Sequence, residues 1–132
     1  MSAIDVVIPA FNAARYLDQA LASVLSQDHA AHRVIVVDDG STDGTAELVE
    51  GLGLDCVRVT RQRNAGKPAA LNTGLAAASH DLIVMVDGDT VFEPDAVHQL
   101  VQPMADPSVG AVSGNAKVAT PQVNRSDTIH LS

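Results

Sequence analysis

Short apolar runs alternate along the chain with stretches whose apolar residues recur every three or four positions. "IDVVI" (4–8) and "RVIVVD" (33–38) are short and β-branched, which predicts two buried strands. "DCVRVT" (55–60) alternates, "DLIVMVD" (81–87) is continuously apolar, and "VGAVSGN" (109–115) predicts a fifth strand. Between them lie helical patterns. Residues 13–26 set Leu17, Leu21, Val24 and Leu25 on one face, and 43–53 starts in Thr/Asp capping residues and ends in glycine. Residues 67–79 carry Pro68 in a first turn, and 94–104 begins at Pro94. Strand–helix repetition with uninterrupted apolar strands predicts an α/β domain, a three-layer α/β/α sandwich around a mostly parallel sheet.

In such sheets ligands bind beyond the carboxyl ends of the strands. The polar signatures of this chain fall there. "PAFN" follows the first strand, "DDGSTDG" the second, "RQRNAGK" the third and "DGDT" the fourth.

Composition narrows the chemistry. The 132 residues are enough for one domain, and a net charge of -8 argues against a general nucleic-acid binder. Aromatics are few, so the core is aliphatic. One cysteine, Cys56, makes no internal disulfide; it reads as a buried residue on a strand and favours a reducing compartment. The amino terminus lacks a signal-peptide pattern, and "LIVMV" (82–86) is too short to span a bilayer. The five histidines show no metal-ligand spacing and read as surface residues. The absence of G-x-G-x-x-G and G-x-S-x-G leaves dinucleotide and serine-hydrolase sites without support.

The candidate site residues are then weighed singly. Asp87 and Asp89, one residue apart at a strand end, make a poor calcium site. They make a good partial site for magnesium or manganese shared with phosphates, or else a solvated turn. Gly88 between them admits a ligand close to the backbone. Lys67, beside Gly66 at a helix start, suits a diphosphate or is an exposed cap lysine; Arg61 and Arg63 read as solvated charges. Asp38 and Asp39 suit a base or ribose as hydrogen-bond acceptors. Phe11, after Pro9 and before Asn12, fits either the flank of a planar base or a hydrophobic staple.

Residues 39–50 also imitate a calcium EF-hand loop, with Asp39, Ser41, Asp43, Gly44 and Glu50 at loop spacing. An EF-hand needs a helix leading in. Here a strand leads in, and Glu47 and Glu50 fall on an amphipathic helix with Leu48 and Val49 inward.

Taken together, "VVIPAFN", "VIVVDDGSTDGT", "RNAGKPAALNTGL" and "VMVDGDTVFEPDAV" resemble, in order and spacing, the family 2 inverting glycosyltransferases with a Rossmann-like GT-A fold. The resemblance runs from Ile4 to about Lys117, and "GAVSGNAKV" (110–118) looks most like the processive branch that makes chitin-like, poly-N-acetylglucosamine and hyaluronan chains. It implies that Pro9, Phe11 and Asn12 line a uridine site, that Asp39 accepts from the uracil with Asp38 beside it, and that Lys67 faces the diphosphate. It also implies that Asp87 lies near ribose or sugar and that Asp89 holds a divalent metal, Mg or Mn. The implied donor is a UDP-sugar, with UDP-N-acetylglucosamine leading, and the implied acceptor is a saccharide or a lipid-linked saccharide. In the intact protein the resemblance implies a cytoplasmic site at the inner face of the membrane, the membrane being met only through regions outside this chain.

The family's catalytic base follows the D-x-D in an acidic motif, and the processive members carry Q-x-x-R-W. Among Glu93, Asp95, Asp106 and Asp127 none stands in such a motif, and the chain has no Trp. The expectation is a donor-binding half-domain over 1–118 and a polar tail over 119–132, with no catalytic residue of its own. Little transferase activity and self-association through a bare sheet edge are also expected. A non-catalytic nucleotide-sugar-binding or regulatory module is the other reading.

Overall fold

The computed structural model describes residues 3–80, 82–116 and 129–131. Its strands and helices run β1 (Ile4–Ala10), α1 (Ala14–Leu25), β2 (Arg33–Asp38), α2 (Thr45–Gly51), β3 (Val57–Arg61), α3 (Lys67–Ala77), β4 (Leu82–Met85), α4 (Ala96–Val101), β5 (Gly114–Ala116) and β6 (Ile129–Leu131). β1 to β4 form one parallel sheet in the order β3-β2-β1-β4, with Val6 level with Val34 on one side and Val84 on the other. The α/β expectation is met.

Alternation along β1 assigns its side chains to two layers. Ile4, Val6 and Ile8 pack with Leu17, Leu21 and Val24 of α1, Val49 of α2 and Val97 of α4. On the opposite face Ile35 and Val37 pack with Ala70 of α3. Here α3 comes so close that a Cβ on Gly74 would stand 2.3 Å from Cγ1 of Val7. Gly74 is thus required by packing between helix and strand.

Four details differ from the sequence reading. Leu25 is exposed and Ala20 takes a core position, because Leu25 lies about 80° round the helix from Leu17. Cys56 is exposed: it sits in the turn before β3, where its carbonyl accepts the Val34 N–H at 2.9 Å. His29 is buried, whereas His32 and His98 are exposed and His80 is half-buried; the His130 side chain lies outside the described residues. The fifth strand is not in the main sheet. Only 114–116 of that region is a strand, paired antiparallel with 129–131, inside the segment read as a polar tail. Lys117 and Asp127 fall outside the described residues.

The loops beyond the strands are held by side chains acting across the sequence. Asn12, with φ of 51°, donates its N–H to Ser41 Oγ at 2.9 Å, and its Oδ1 accepts the Thr42 N–H at 2.8 Å. Ala13 N–H donates to the Thr45 hydroxyl oxygen at 3.1 Å, and Ala14 N–H to Asp43 Oδ2 at 3.1 Å. The first turn of α1, whose N–H groups have no partner within the helix, is therefore capped by the β2–α2 loop. Gln27 acts similarly on α4, donating to the Glu93 carbonyl and accepting the Val97 N–H.

At the other end of the sheet Asp5 is fully buried and accepts the N–H groups of Ser79 and His80 at 2.7 and 2.9 Å, with His80 Nδ1 at 3.3 Å. Burial pushes this carboxyl up, but the bonds from Ser79 and His80 outweigh it and hold the pKa below the ordinary 3.8.

Two outcomes follow from these contacts. Thr45 is fully buried, so Thr45→Val keeps the shape but leaves the Ala13 N–H without a partner, at an expected cost of about 1–3 kcal/mol in urea unfolding. Because the folded-state pKa of Asp5 is depressed, its stabilisation is present above the unfolded value and is lost as pH falls through the folded one. Asp5→Asn should therefore flatten the acid limb of the stability profile below about pH 4. An acid limb as steep as that of the unmodified chain would show that Asp5 is not the group involved.

Candidate functional site

The strand order reverses at β1: β2 and β3 lie to one side of it and β4 to the other. Such a reversal opens a crevice at the carboxyl ends of the central strands. The β1–β4 ladder ends at Val7 and Met85, followed by a last bond from Val86 N–H to the Val7 carbonyl at 3.0 Å. Pro9, which has no N–H to donate, stands just past that point. The two chains part there, and the "PAFN" and "DGDT" loops rise on either side.

Asp39, just past the end of β2, is the best-connected carboxylate at the carboxyl ends of the strands. It is 4% exposed. Its Oδ1 accepts Gln62 Nε2 at 2.9 Å and Ala65 N–H at 2.9 Å, and its Oδ2 accepts Gly66 N–H at 3.0 Å. The Gln62 bond, joined by those of Ala65 and Gly66 against the opposing effect of burial, holds the carboxyl below its ordinary pKa. Asp39 is therefore an acceptor with a fixed direction. These contacts also revise the reading of the α3 amino terminus: the anion held by the amides of residues 65 and 66 is Asp39 itself.

The residue after Gly66 carries the contact across the crevice. Lys67 Nζ lies 2.6 Å from Asp87 Oδ1, both side chains being about half exposed. The loop 62–67 thus holds Asp39 at one end and presents a cation to the β4 loop at the other. Asp89 is exposed two residues beyond Asp87. Gly88 is buried, and a Cβ there would meet Ala13 Cβ at 3.2 Å and Ala10 Cβ at 3.5 Å. The glycine admits the neighbouring loop of its own chain, where the sequence reading gave that room to a ligand.

No three of His, Cys, Asp and Glu gather into a metal-holding group among the described residues. Two exposed carboxylates suit Mg2+ or Mn2+, which keep waters and share phosphate oxygens, and do not suit an all-protein calcium or zinc cage.

The remaining predicted residues are placed as follows. Phe11, in the loop just after β1, is about half exposed. Asn12 braces the β2–α2 loop. Asp38 is buried and its Oδ1 accepts the Ser41 N–H at 3.0 Å, so its carboxylate shapes the turn. Arg61 pairs with Glu47 at 2.7 Å and with Glu50, on the outer side of α2, while Arg63 is exposed. The EF-hand pattern dissolves in these contacts: Ser41 accepts from Asn12, Asp43 caps α1, Asp39 holds loop 62–67, and Glu50 holds Arg61.

A cavity of about 540 Å³ touches the crevice at Pro9, Lys67 and Asp87 but extends mainly along the free edge of β4, past Met85, Leu100 and Met104. It is largely apolar and excludes Asp39, so the polar groups at the strand ends, and not this cavity, define the site. Sequence reading missed Gln62 and Thr73, whose hydroxyl donates to Gln62 Oε1 at 2.6 Å. Both lie inside the quoted signatures, but nothing in the spacing gives them a role, and only the fold links them to Asp39.

Known proteins share this arrangement. A poly-beta-1,6-N-acetyl-D-glucosamine synthase of Staphylococcus aureus is 32% identical over 121 residues, 89% of this chain and 29% of that protein. The chain thus spans under a third of that relative. A mannosyltransferase from Pyrobaculum calidifontis, in complex with GDP-Man and Mn2+, superposes with a TM-score of 0.81 at 30% identity, over 88% of this chain and 36% of the other. Glucosyl-3-phosphoglycerate synthase from Mycobacterium tuberculosis, in complex with Mn2+, UDP and glucosyl-3-phosphoglycerate, gives 0.66 at 30% identity, over 80% and 40%. Residues 5–130 match the family model Glycosyl transferase family 2, and with the Rossmann-like GT-A arrangement of strands this chain belongs to that family.

Proposed function

We propose that the chain forms the donor site of a glycosyltransferase that moves a sugar, N-acetylglucosamine first among candidates, from a UDP-sugar to an acceptor hydroxyl with inversion. The observation that carries this reading is loop 62–67, which clasps Asp39 at the base end and delivers Lys67 to Asp87 at the phosphate end.

Each residue then has a task. Asp39 accepts the imide N–H of uracil, and Phe11 flanks its ring, with Pro9 and Asn12 forming the floor and rim. The Lys67–Asp87 pair is half exposed and contributes little to stability, so it opens at small cost. Lys67 then turns to the diphosphate, freeing Asp87 to join Asp89 in holding a divalent cation. The charge balance favours such an ion, since Asp39, Asp87 and Asp89 face an anionic donor and Lys67, paired with Asp87, is the one lysine among the described residues. Bound there, Mg2+ or Mn2+ would neutralise the departing UDP.

Inversion requires a base to take the acceptor proton. Asp95 hydrogen-bonds Gln99, and Asp106 hydrogen-bonds Ser108 at 2.8 Å, both locally, which supports a base supplied from outside the described residues. The same two contacts favour a second reading, a module that binds nucleotide-sugar without catalysis. We place the intact protein's site on the cytoplasmic side, with a saccharide or lipid-linked acceptor. Among the described residues no helix is long and apolar enough to cross a membrane.

Calorimetric titration of UDP and UDP-N-acetylglucosamine, with and without Mn2+, tests the donor site. Binding should require the metal, disappear in Asp89→Ala, and weaken about tenfold or more in Lys67→Ala. Calcium binding lost in Asp43→Ala, with no binding of UDP, would sink the reading. Sugar transfer by the 132-residue chain should be slight; turnover typical of a complete enzyme, about 1 per second or more, would show that the base is present in it.

A further inference from the structure

We infer that Gln62 and Thr73 are positioning residues that aim Asp39 at the nucleobase, and that through them the site selects bases offering an N–H at that position over bases offering a ring-nitrogen acceptor. The inference rests on the donor-site reading above and assigns its base specificity to two residues to which the sequence gave no role.

The direction of the first bond in this relay is forced. A carboxylate accepts only, so Gln62 must present its amide N–H groups to Asp39. The Gln62 carbonyl oxygen then faces Thr73, 2.6 Å away, as an acceptor for its hydroxyl. That hydroxyl has one proton, for which the Ala69 carbonyl one turn earlier, at 3.0 Å, competes; the shorter contact favours Gln62. A carboxylate offers about four lone-pair directions. Gln62 and Ala65 occupy the two on Oδ1, and Gly66 occupies one on Oδ2. One acceptor direction is left, on a group whose rotation is stopped from three sides.

That single direction pairs with the imide N–H of uracil or the ring N–H of guanine. It meets a lone pair on cytosine or adenine, which only a protonated Asp39 could satisfy. Gln62 and its two backbone companions oppose that protonation. Removing Gln62 therefore does two separable things: it frees the carboxylate to turn, and it moves its protonation to higher pH.

The test compares the full chain with Gln62→Leu and Thr73→Val, each checked for folding by circular dichroism. UDP and CDP are titrated with Mn2+ present across a pH series, and the Asp39 carboxyl is followed by carbon NMR without ligand. Gln62→Leu should weaken UDP about tenfold, shift the acid loss of binding upward by about a pH unit, and narrow the UDP-to-CDP ratio. Thr73→Val should move all three the same way by less. A folded Gln62→Leu with the acid limb and ratio of the unmodified chain overturns the proposal, even if overall affinity falls, since a merely structural role gives that. If Gln62→Leu does not fold, Thr73→Val decides by the same criteria. If the unmodified chain binds no UDP, the donor-site reading fails and base selection falls with it. The NMR titration then judges positioning alone, and an Asp39 titration unmoved by either variant overturns it.

Discussion

The clasp of Asp39 on loop 62–67 is the contact on which the site depends. Without it the end of β2 and the start of α3 would be two loops on separate crossovers. With it, a buried carboxylate satisfies Gln62 and the amides of Ala65 and Gly66, and α3 begins at Lys67 because its first turn is anchored there. Gly40 belongs to the same contact. Its φ is +81°, and a Cβ would lie 2.7 Å from the Asn64 amide nitrogen, so a side chain at 40 would force the two loops apart. From that anchor Lys67 reaches Asp87, and the third strand end is drawn to the first two.

The β2–α2 loop does the corresponding work toward β1. Asp43 and Thr45 cap the start of α1, Ser41 accepts the Asn12 N–H just before it, and Asn12 adopts a left-handed backbone that an asparagine tolerates better than most residues. The polar residues that look like calcium ligands are thus the mortar between two βα units. Several carboxylates surround the crevice that this loop borders, and the donor proposed for it is anionic. The net charge of -8 is compatible with that ligand only because one lysine is aimed locally and two exposed carboxylates can share a divalent ion.

Much of this was legible in the residues. Period and β-branching located β1, β2 and β4, the helix α1, and the four loops that carry the family signature. The errors have a common cause. Cys56 and His29 differ in burial from the sequence reading because a residue near an element's end is covered or bared by its neighbours in space, which periodicity does not report. The strand read at 109–115 became a short antiparallel pair at 114–116 and 129–131, since pairing is a contact between distant segments. Gly88 was assigned to a ligand when its space is filled by Ala10 and Ala13.

Sequence by itself determined the parallel α/β architecture and singled out Asp39, Lys67, Asp87 and Asp89 as members of one candidate site. These follow from local hydrophobic period and from motifs that hold their chemistry within a few residues. Tertiary structure alone decided how those groups are held. Asp38 accepts from a turn while Asp39 is clasped by loop 62–67, Lys67 rests on Asp87, and Gln62, in contact with Thr73, donates to Asp39. Adjacent aspartates look equivalent along a chain. They become different only when the fold supplies Ser41 to one and loop 62–67 to the other, because a carboxylate takes its role from the donors brought around it.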